Sequence, residues 1–577
     1  MASLASYAYY RDDMTKMPPL RAMAQTLCLD KRVRLVSAAE AYDLAKGQHD
    51  VLDTDLPIYP PAAKRLGLPD GATVLVNCHG RVVGRTAKAR RFSTRMGASE
   101  RRKVEADVRE AIYTMRRSPL IKAEAILGLD PDLMLKATMV TTEDDAVNLF
   151  NWLVNFTPFT ELADVYAKSR RLPIPDILVV GYNDWTTDDP YYHNEGGPQL
   201  ALIDEEANVV FNLGMRYFGE RKKGTLTLAW TSGMRLGLAA CHGGIKEIDF
   251  SQCPDPAISA KGKRSIAFFG LSGTGKSSHT NAHDNGGTLP AGFTKVVLHD
   301  DAFQIDCKER VCRVWEPTLF DKTDSRPLGH PDWKFLISAM NVGIIEVDGK
   351  IAPLGQDIRN PNGRALIDRD LLGTYVNRCA FPDIMVWLMK DTCLPPVIRF
   401  TDTYLAVAMG ASLMTRRNMA ENVSEADLKQ LVFEPFANPF RVYELWKDVE
   451  AFVSVFEAGA IGYAFNSVGF WKTSDREFYK IPLQTSLTLQ TALLLDSLEW
   501  ENWEMLPGAQ IPTQESVERL IPDYAARFDP RAVDNPEFYR EALQDRFHQR
   551  WVFLQNSDLP SKPELLMRLV NTLMIRA

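Results

Sequence analysis

Apolar runs of strand length recur along the chain between polar turns. "DILVVGYNDW" (176–185), "ANVVFNLGMRYFG" (207–219) and "GTLTLAW" (224–230) alternate or run apolar and read as strands. A softer stretch, "FSQCPDPAISAKGKR" (250–264), gathers proline, glycine and charge. Beyond it "SIAFFG" (265–270), "KVVLHD" (295–300) and "DIMVWLMK" (383–390) read as strands that alternate with helical segments. From about residue 484 the pattern turns helical, in "TSLTLQTALLLDSLEW" (485–500) and "NPEFYREALQDRFHQRWVFLQ" (535–555). The pattern predicts a mixed α/β protein in two parts. The softer stretch marks the boundary, with an N-terminal α/β domain over 1–250 and a second over 251–577 that ends in a helical tail.

Composition narrows the class. The chain has 577 residues, 45% of them hydrophobic, enough for two domains with cores of their own. A formal charge of −7 argues against a nucleic-acid or acidic-membrane partner. The basic cluster "RRFSTRMGASERRK" (90–103) could hold an anion, but a solvated loop and helix start is the plainer reading. No apolar run approaches the ~20 residues of a membrane helix, and the acidic residues near the N-terminus do not suit a signal peptide. The cysteines are scattered without CxxC spacing, which indicates neither a zinc knuckle nor a disulfide framework. The expectation is a cytoplasmic protein, monomeric, with a small molecule as its partner.

The chemistry concentrates at "FFGLSGTGKSSHT" (268–280). Residues 270–277 satisfy GxxxxGK[ST] between a strand and a helix start, the context in which backbone N–H groups turn inward onto phosphate oxygens. Gly270, Gly273 and Gly275 permit the turn. Lys276 reaches the outer phosphates and the Ser277 hydroxyl can ligate a bound metal. About 25 residues on, "KVVLHDD" ends a strand in Asp300 and Asp301, carboxylates placed to hold a divalent ion.

These residues resemble the ATP-dependent phosphoenolpyruvate carboxykinases. "GLSGTGKSS" is close to that family's kinase loop, Ser272 included, and implies a nucleotide site of Gly270, Leu271, Ser272, Gly273, Thr274, Gly275, Lys276, Ser277 and Ser278. "RYFGERKKG" (216–224) resembles the segment that makes Tyr217 a substrate residue and Lys223 a metal ligand. "MRLGLAACHGG" (234–244) resembles the one that ends in the metal-binding histidine, here His242. "LHDDAF" implies Asp301 as the third protein ligand, with Asp300 beside it. Other segments match in order: "VVGRTAKAR" (82–90) implies substrate contact by Arg85, "WEPTLFDKT" (315–323) points to Glu316 and Lys322 as nucleotide-binding residues, and "QDIRNP" (356–361) gives Arg359 a place between nucleotide and substrate. "LPPVIRFTD" (394–402) matches the lid region and "YKIPLQTS" (479–486) a nucleotide segment with Lys480. The resemblance runs from about residue 70 to the tail. It implies a two-domain carboxykinase-like fold with a P-loop mononucleotide-binding C-terminal domain, using ATP with Mg²⁺ or Mn²⁺. A lysine ligates only as a neutral amine, so Lys223 would need its pKa drawn down by the cation and by burial, with the adjacent Lys222 helping by repulsion.

The departures from the family lie on the acceptor side. Ala302, Phe303 and Gln304 follow the two aspartates, "LAWTSG" (228–233) follows the lysine ligand, and "NSVGFWKTSDREF" (466–478) replaces a glycine-tryptophan-asparagine loop. The first expectation is therefore a metal-dependent kinase acting on a small hydroxylated, anionic acceptor such as a polyol, a cyclitol or its phosphate. Asp300 would be its proton acceptor, with His299 in support. The alternatives are a true carboxykinase converting oxaloacetate to phosphoenolpyruvate, and a nucleotide-sensing or protein-modifying relative.

Overall fold

The computed structural model describes residues 16–81, 86–194, 196–271, 273–324, 326–373, 376–416, 431–471 and 478–576. They form two compact units. The first holds residues up to Ser232 and the return segment Val314–Leu371, and the second holds Gly233–Arg313 and the chain from Leu372 onward. The chain passes from the first to the second within the helix Phe218–Arg235. The predicted boundary at 250 falls inside the second unit. There the proline-bearing stretch joins two antiparallel neighbours of one sheet, Ala239–Asp249 and Lys263–Phe269, paired from Gly243–Phe269 to Asp249–Lys263.

In the first unit the strands Leu135–Thr142, Ile177–Tyr182 and Val209–Leu213 run parallel and are buried along their whole length. Such burial on both faces explains their unbroken apolar sequence. A second sheet of this unit lines up Thr318–Lys322, Arg364–Asp368, Leu336–Met340, Thr73–Asn77 and Val51–Pro57.

"GTLTLAW" is a correction: it is helical, within Phe218–Arg235. Thr225, Leu226, Thr227, Leu228, Ala229, Trp230 and Thr231 are all buried. A helix enclosed on every side loses the polar face that would give a period of 3.6. Its threonines turn their hydroxyls back onto the helix, Thr225 onto the Arg221 carbonyl (2.7 Å) and Thr231 onto that of Thr227 (2.8 Å). Their alternation with leucine therefore imitates a strand.

The second unit is built on one large mixed sheet. Its centre runs Ala302–Asp306, Ala239–Asp249, Lys263–Phe269, Ile384–Met389, Ile461–Asn466, with the last three strands parallel to one another. The helix predicted over 485–500 spans Leu483–Leu495 and stops at Asp496, whose left-handed φ of 52° closes it before the strand Trp500–Asn502. The long tail helix, Pro536–Gln555, matches its predicted bounds and is capped by the Asn535 side chain. Among the described residues no helix is long and apolar enough to cross a membrane.

Candidate functional site

The glycine-rich loop leaves the sheet where two parallel strands end, Lys263–Phe269 and Ile384–Met389, the edge at which open α/β sheets bind ligands. A side chain on Gly270 would strike the Thr274 hydroxyl and stand 2.9 Å from the Leu388 Cβ, so only glycine fits the close approach. Gly273 and Gly275 take φ of 83° and 93°, the left-handed region that glycine enters freely. Thr274 ties the loop to itself, its N–H (3.1 Å) and hydroxyl (2.7 Å) both donating to the Leu271 carbonyl. The short helix Lys276–Asn281 follows, with Ser277 half-buried and Ser278 exposed at its start. Ser272 and Arg85 lie outside the described residues.

Strand register delivers the other groups to the loop. Ala239–Asp249 pairs with Ala302–Asp306 so that His242 faces Ala302, and Gly243 donates its N–H to the Asp301 carbonyl at 3.1 Å. His299, expected at a strand end facing solvent or in support of a base, is fully buried. Its Nδ1 accepts the N–H groups of Asp301 (3.1 Å) and Ala302 (3.3 Å), which fixes the turn that presents Asp301.

One oxygen of Asp301 is the focus. Its Oδ1 lies 3.2 Å from His242 Nε2 and 3.6 Å from Lys276 Nζ. The other ring nitrogen of His242, Nδ1, donates to the Ala437 carbonyl at 2.6 Å. In the neutral ring that bond leaves the Nε2 lone pair facing a carboxylate oxygen, an arrangement that calls for a cation or proton between them. The carbonyl comes from a buried turn in which Phe436 and Ala437 both adopt left-handed φ, 51° and 54°. Such residues cost on the order of 1–2 kcal/mol each, and the turn is held by Phe436 stacked on Phe452 at 4.3 Å. Among the described residues no group of three or more His, Cys, Asp or Glu side chains is placed to hold a metal. A metal here thus needs ligands of other kinds besides His242 and Asp301, such as the Ser277 hydroxyl.

Asp300 points elsewhere. Its carboxylate is buried and accepts the Asn281 side-chain N–H at 3.1 Å. The far end of the helix Lys276–Asn281 is gripped by two lysines. Lys246 donates to the His279 carbonyl (2.7 Å) and Asn285 Oδ1 (2.9 Å), and Lys295 donates to the Asn281 carbonyl (3.0 Å). Burial pulls the pKa of Lys246 well below its ordinary value, and that of Lys295 down as well. His279 stacks on Phe268 at 5.2 Å with Nδ1 3.1 Å from Gln490 Oε1, and burial lowers its pKa to about 4.

Several expected site residues belong to the first unit. Lys222 and Lys223 lie inside the helix Phe218–Arg235. Lys222 is fully buried and donates to Glu316 Oε1 at 2.9 Å, and Asn155 donates to Glu316 Oε2 at 2.7 Å. Glu316 supplies the counter-charge of Lys222. Lys223 is half-buried, its ammonium 5.5 Å from the centroid of the Trp230 ring. Tyr217 is buried with its ring folded over Gly219, where any side chain would collide with it. Arg359 is half exposed and forked onto Asp357 (2.9 and 2.6 Å), and this pairing holds the Asp357 carboxyl down at about 2. Its guanidinium lies against Gly80 and Gly343. Lys322 is half-buried with its ammonium 3.7 Å from Asp324, and Lys480, in the second unit, is exposed at the end of the strand Phe478–Lys480.

Two features escaped the sequence reading. Arg90, at the end of "VVGRTAKAR", forks onto Glu220 of "RYFGERKKG" (2.8 and 2.7 Å) and locks two of the motifs together. Lys390 closes the strand beside the loop, its ammonium 3.6 Å from where a side chain on Gly273 would begin. A lysine that ends an apolar run was the available signal for it.

A glycine-rich loop at the end of parallel strands, with a lysine and a carboxylate converging beside it, can receive phosphate oxygens on its backbone N–H groups. The family model described as phosphoenolpyruvate carboxykinase matches residues 91–301. The phosphoenolpyruvate carboxykinase (ATP) of Aeropyrum pernix is 26% identical over 354 residues, which cover 56% of this chain. The chain thus spans 62% of the length of the curated relative it matches. The family resemblance read from the motifs is borne out as a similarity: residues 91–301 match that family's model, and the chain is distantly similar to one of its ATP-dependent enzymes.

Proposed function

We propose that this chain is an ATP- and divalent-cation-dependent phosphoryl-transfer enzyme, and that its reaction is that of a carboxykinase. The observation that carries the reading is the convergence of Lys276 and His242 on one oxygen of Asp301 beside the glycine-rich loop. The amides of Gly270–Gly275 receive phosphate oxygens, and Lys276 neutralises the outer phosphates. His242, Asp301 and Ser277, with Lys223 by the family resemblance alone, would hold Mn²⁺ or Mg²⁺, a mixed nitrogen and oxygen set that suits Mn²⁺. When bound, the cation neutralises charge on the phosphate oxygens and orients the terminal group. By the family resemblance, Arg85, Tyr217 and Ser272 would contact the substrate, and Arg359 would contact both substrate and nucleotide. Lys322 and Lys480 are further nucleotide contacts. Glu316, with both carboxylate oxygens engaged by Lys222 and Asn155, supports the helix that carries Lys223.

The surroundings of Asp300 favour a carboxykinase over an alcohol kinase. Loss of CO₂ from oxaloacetate leaves the C–C bond electrons in an enolate, whose oxygen attacks the γ-phosphorus and displaces ADP. No protein base is needed. An alcohol acceptor needs a carboxylate to take its proton, and Asp300 is buried and already accepts from Asn281. The second reading, transfer to a hydroxylated anion, rests on the replaced acceptor segments at 228–233, 302–304 and 466–478. Incubating the purified full chain with ATP, Mn²⁺ and either oxaloacetate or a panel of polyols, cyclitols and their phosphates separates them. Formation of phosphoenolpyruvate, CO₂ and ADP in equal amounts is expected. Phosphorylation of a hydroxyl compound with none from oxaloacetate overturns the first reading in favour of the second.

A further inference from the structure

We propose that Cys312 and Cys379 form a redox-modification site, a thiol pair that a small disulfide such as oxidised glutathione converts to an intramolecular disulfide. Both are free thiols in this structure, far apart in the chain and brought together by strand pairing. Val311–Val314 and Arg378–Ala380 run antiparallel with Cys312 directly opposite Cys379. Phe381 donates its N–H to the Arg310 carbonyl at 3.0 Å, which marks that rung as a hydrogen-bonded one. Facing residues alternate between hydrogen-bonded and open rungs. The cysteine rung, two residues along, is therefore hydrogen-bonded too, a type whose Cα atoms stand ~5.5 Å apart. Disulfides bridge Cα atoms ~4.4–6.8 Å apart, so the backbone already sits at bonding distance. Opposite residues share a face of the sheet, and the two thiols are in hydrogen-bonding contact there.

Their surroundings separate the roles of the two sulfurs. Cys312 is fully buried, and burial first, then the contact with the Cys379 thiol, raises its pKa well above the ordinary value. Cys379 is half-buried, with its thiol 3.5 Å from the Ala380 carbonyl. It lines a cavity of about 570 Å³ together with Lys263, Arg313 and Arg378, which gives a small disulfide a way in. Cys379, as its thiolate, attacks one sulfur of that disulfide, whose S–S bond breaks and releases one small thiolate. Cys312 gives up its proton to the released thiolate and attacks the Cys379 sulfur, which breaks the mixed disulfide and releases the second small thiol. Two protein thiols are oxidised and one small disulfide is reduced to two thiols. The new bond would join the strand that precedes the chain's departure from the second unit at Val314 to the first strand after its return at Leu372. It closes a loop that contains all of Val314–Leu371, and a cross-link over a long loop restricts the unfolded chain strongly. Nothing in this chemistry depends on the nucleotide reading.

The test incubates the full chain with equal concentrations of reduced and oxidised glutathione, followed by mass spectrometry of a non-reduced digest and by melting curves. A cross-linked peptide joining Cys312 to Cys379 is expected, with a melting temperature that rises by several degrees and returns on adding dithiothreitol. In Cys379→Ser, Cys312 should stay an unmodified thiol and the rise should vanish. In Cys312→Ala, Cys379 should stop at the mixed disulfide with glutathione. If that buried variant does not fold, the parent's digest and the serine variant still decide. The proposal falls if Cys379 of the parent stays reduced or keeps its glutathione, or if either cysteine is bridged to Cys241 or Cys307 instead.

Discussion

Two pairs of lysines flank the same short helix, Lys276–Asn281, and their surroundings differ at every point. At its C-terminal end Lys246 and Lys295 are pressed onto main-chain carbonyls and an asparagine, and burial lowers the pKa of both. At the other end Lys276 faces a half-buried carboxylate, and Lys390 reaches past a bare glycine. The first pair has its hydrogen-bonding capacity met by the protein and tethers the helix. The second pair lies beside the glycine-rich loop, where the proposed function puts the phosphates. Residue type does not separate support from binding here; the partners do. Glu316 and Asp301 repeat the contrast among carboxylates, one with both oxygens engaged in a buried site, the other presenting a single oxygen to a histidine and a lysine.

If that contrast is real, variants should divide by type of effect. The largest expected effect is on stability, at Glu316→Gln. It leaves the Lys222 ammonium buried without its counter-charge, a loss of about 3–5 kcal/mol, read as a large shift of the urea midpoint. A midpoint like the parent's would remove Glu316 from the supporting class. Next comes Lys276→Ala, expected to lower turnover by about 2.7–4 kcal/mol of transition-state stabilisation with the urea midpoint nearly unmoved. Retained turnover at saturating ATP and Mn²⁺ would break the comparison at the binding end.

The pH dependence of His279 sharpens the supporting side. Its pKa lies near 4 in the folded protein against 6.5 in the unfolded chain. The unfolded state therefore takes up a proton first as the pH falls. The stability that neutral, stacked His279 contributes is complete above about pH 6.5 and is lost as the pH drops through 4. In His279→Gln the fall in melting temperature across that window should be shallower than in the parent; an equal slope would mean that the ring is not held neutral. The smallest expected effect is Asp300→Asn. With no base required, turnover should change less than tenfold, whereas a general-base role predicts a loss of ~10²–10⁴. The larger loss would revive the alcohol-acceptor reading.

Local chemistry made the loop legible from sequence. Its glycines, Lys276 and Ser277 fall within one short motif, and the strand before it is a continuous apolar run. Asp301 was found by its place after a strand, and His242 only through family resemblance, because the register that joins them is set by pairing between distant segments. The Ala437 carbonyl that orients His242 is 195 residues away in the chain, and no spacing rule reaches that far. The helix Phe218–Arg235 was misread for a physical reason, since a fully enclosed helix carries no polar stripe and its alternating threonines imitate a strand. The division into two units was obscured because the first recruits Val314–Leu371 after the chain has already entered the second.

On the proposed function, His242 and Asp301 share one divalent cation beside the glycine-rich loop. Electron paramagnetic resonance of Mn²⁺ added with ATP to the full chain tests it most directly. One tightly bound Mn²⁺ per chain is expected in the parent, lost in both His242→Ala and Asp301→Ala while each variant keeps the parent's melting temperature. Mn²⁺ bound equally well by both folded variants would contradict it.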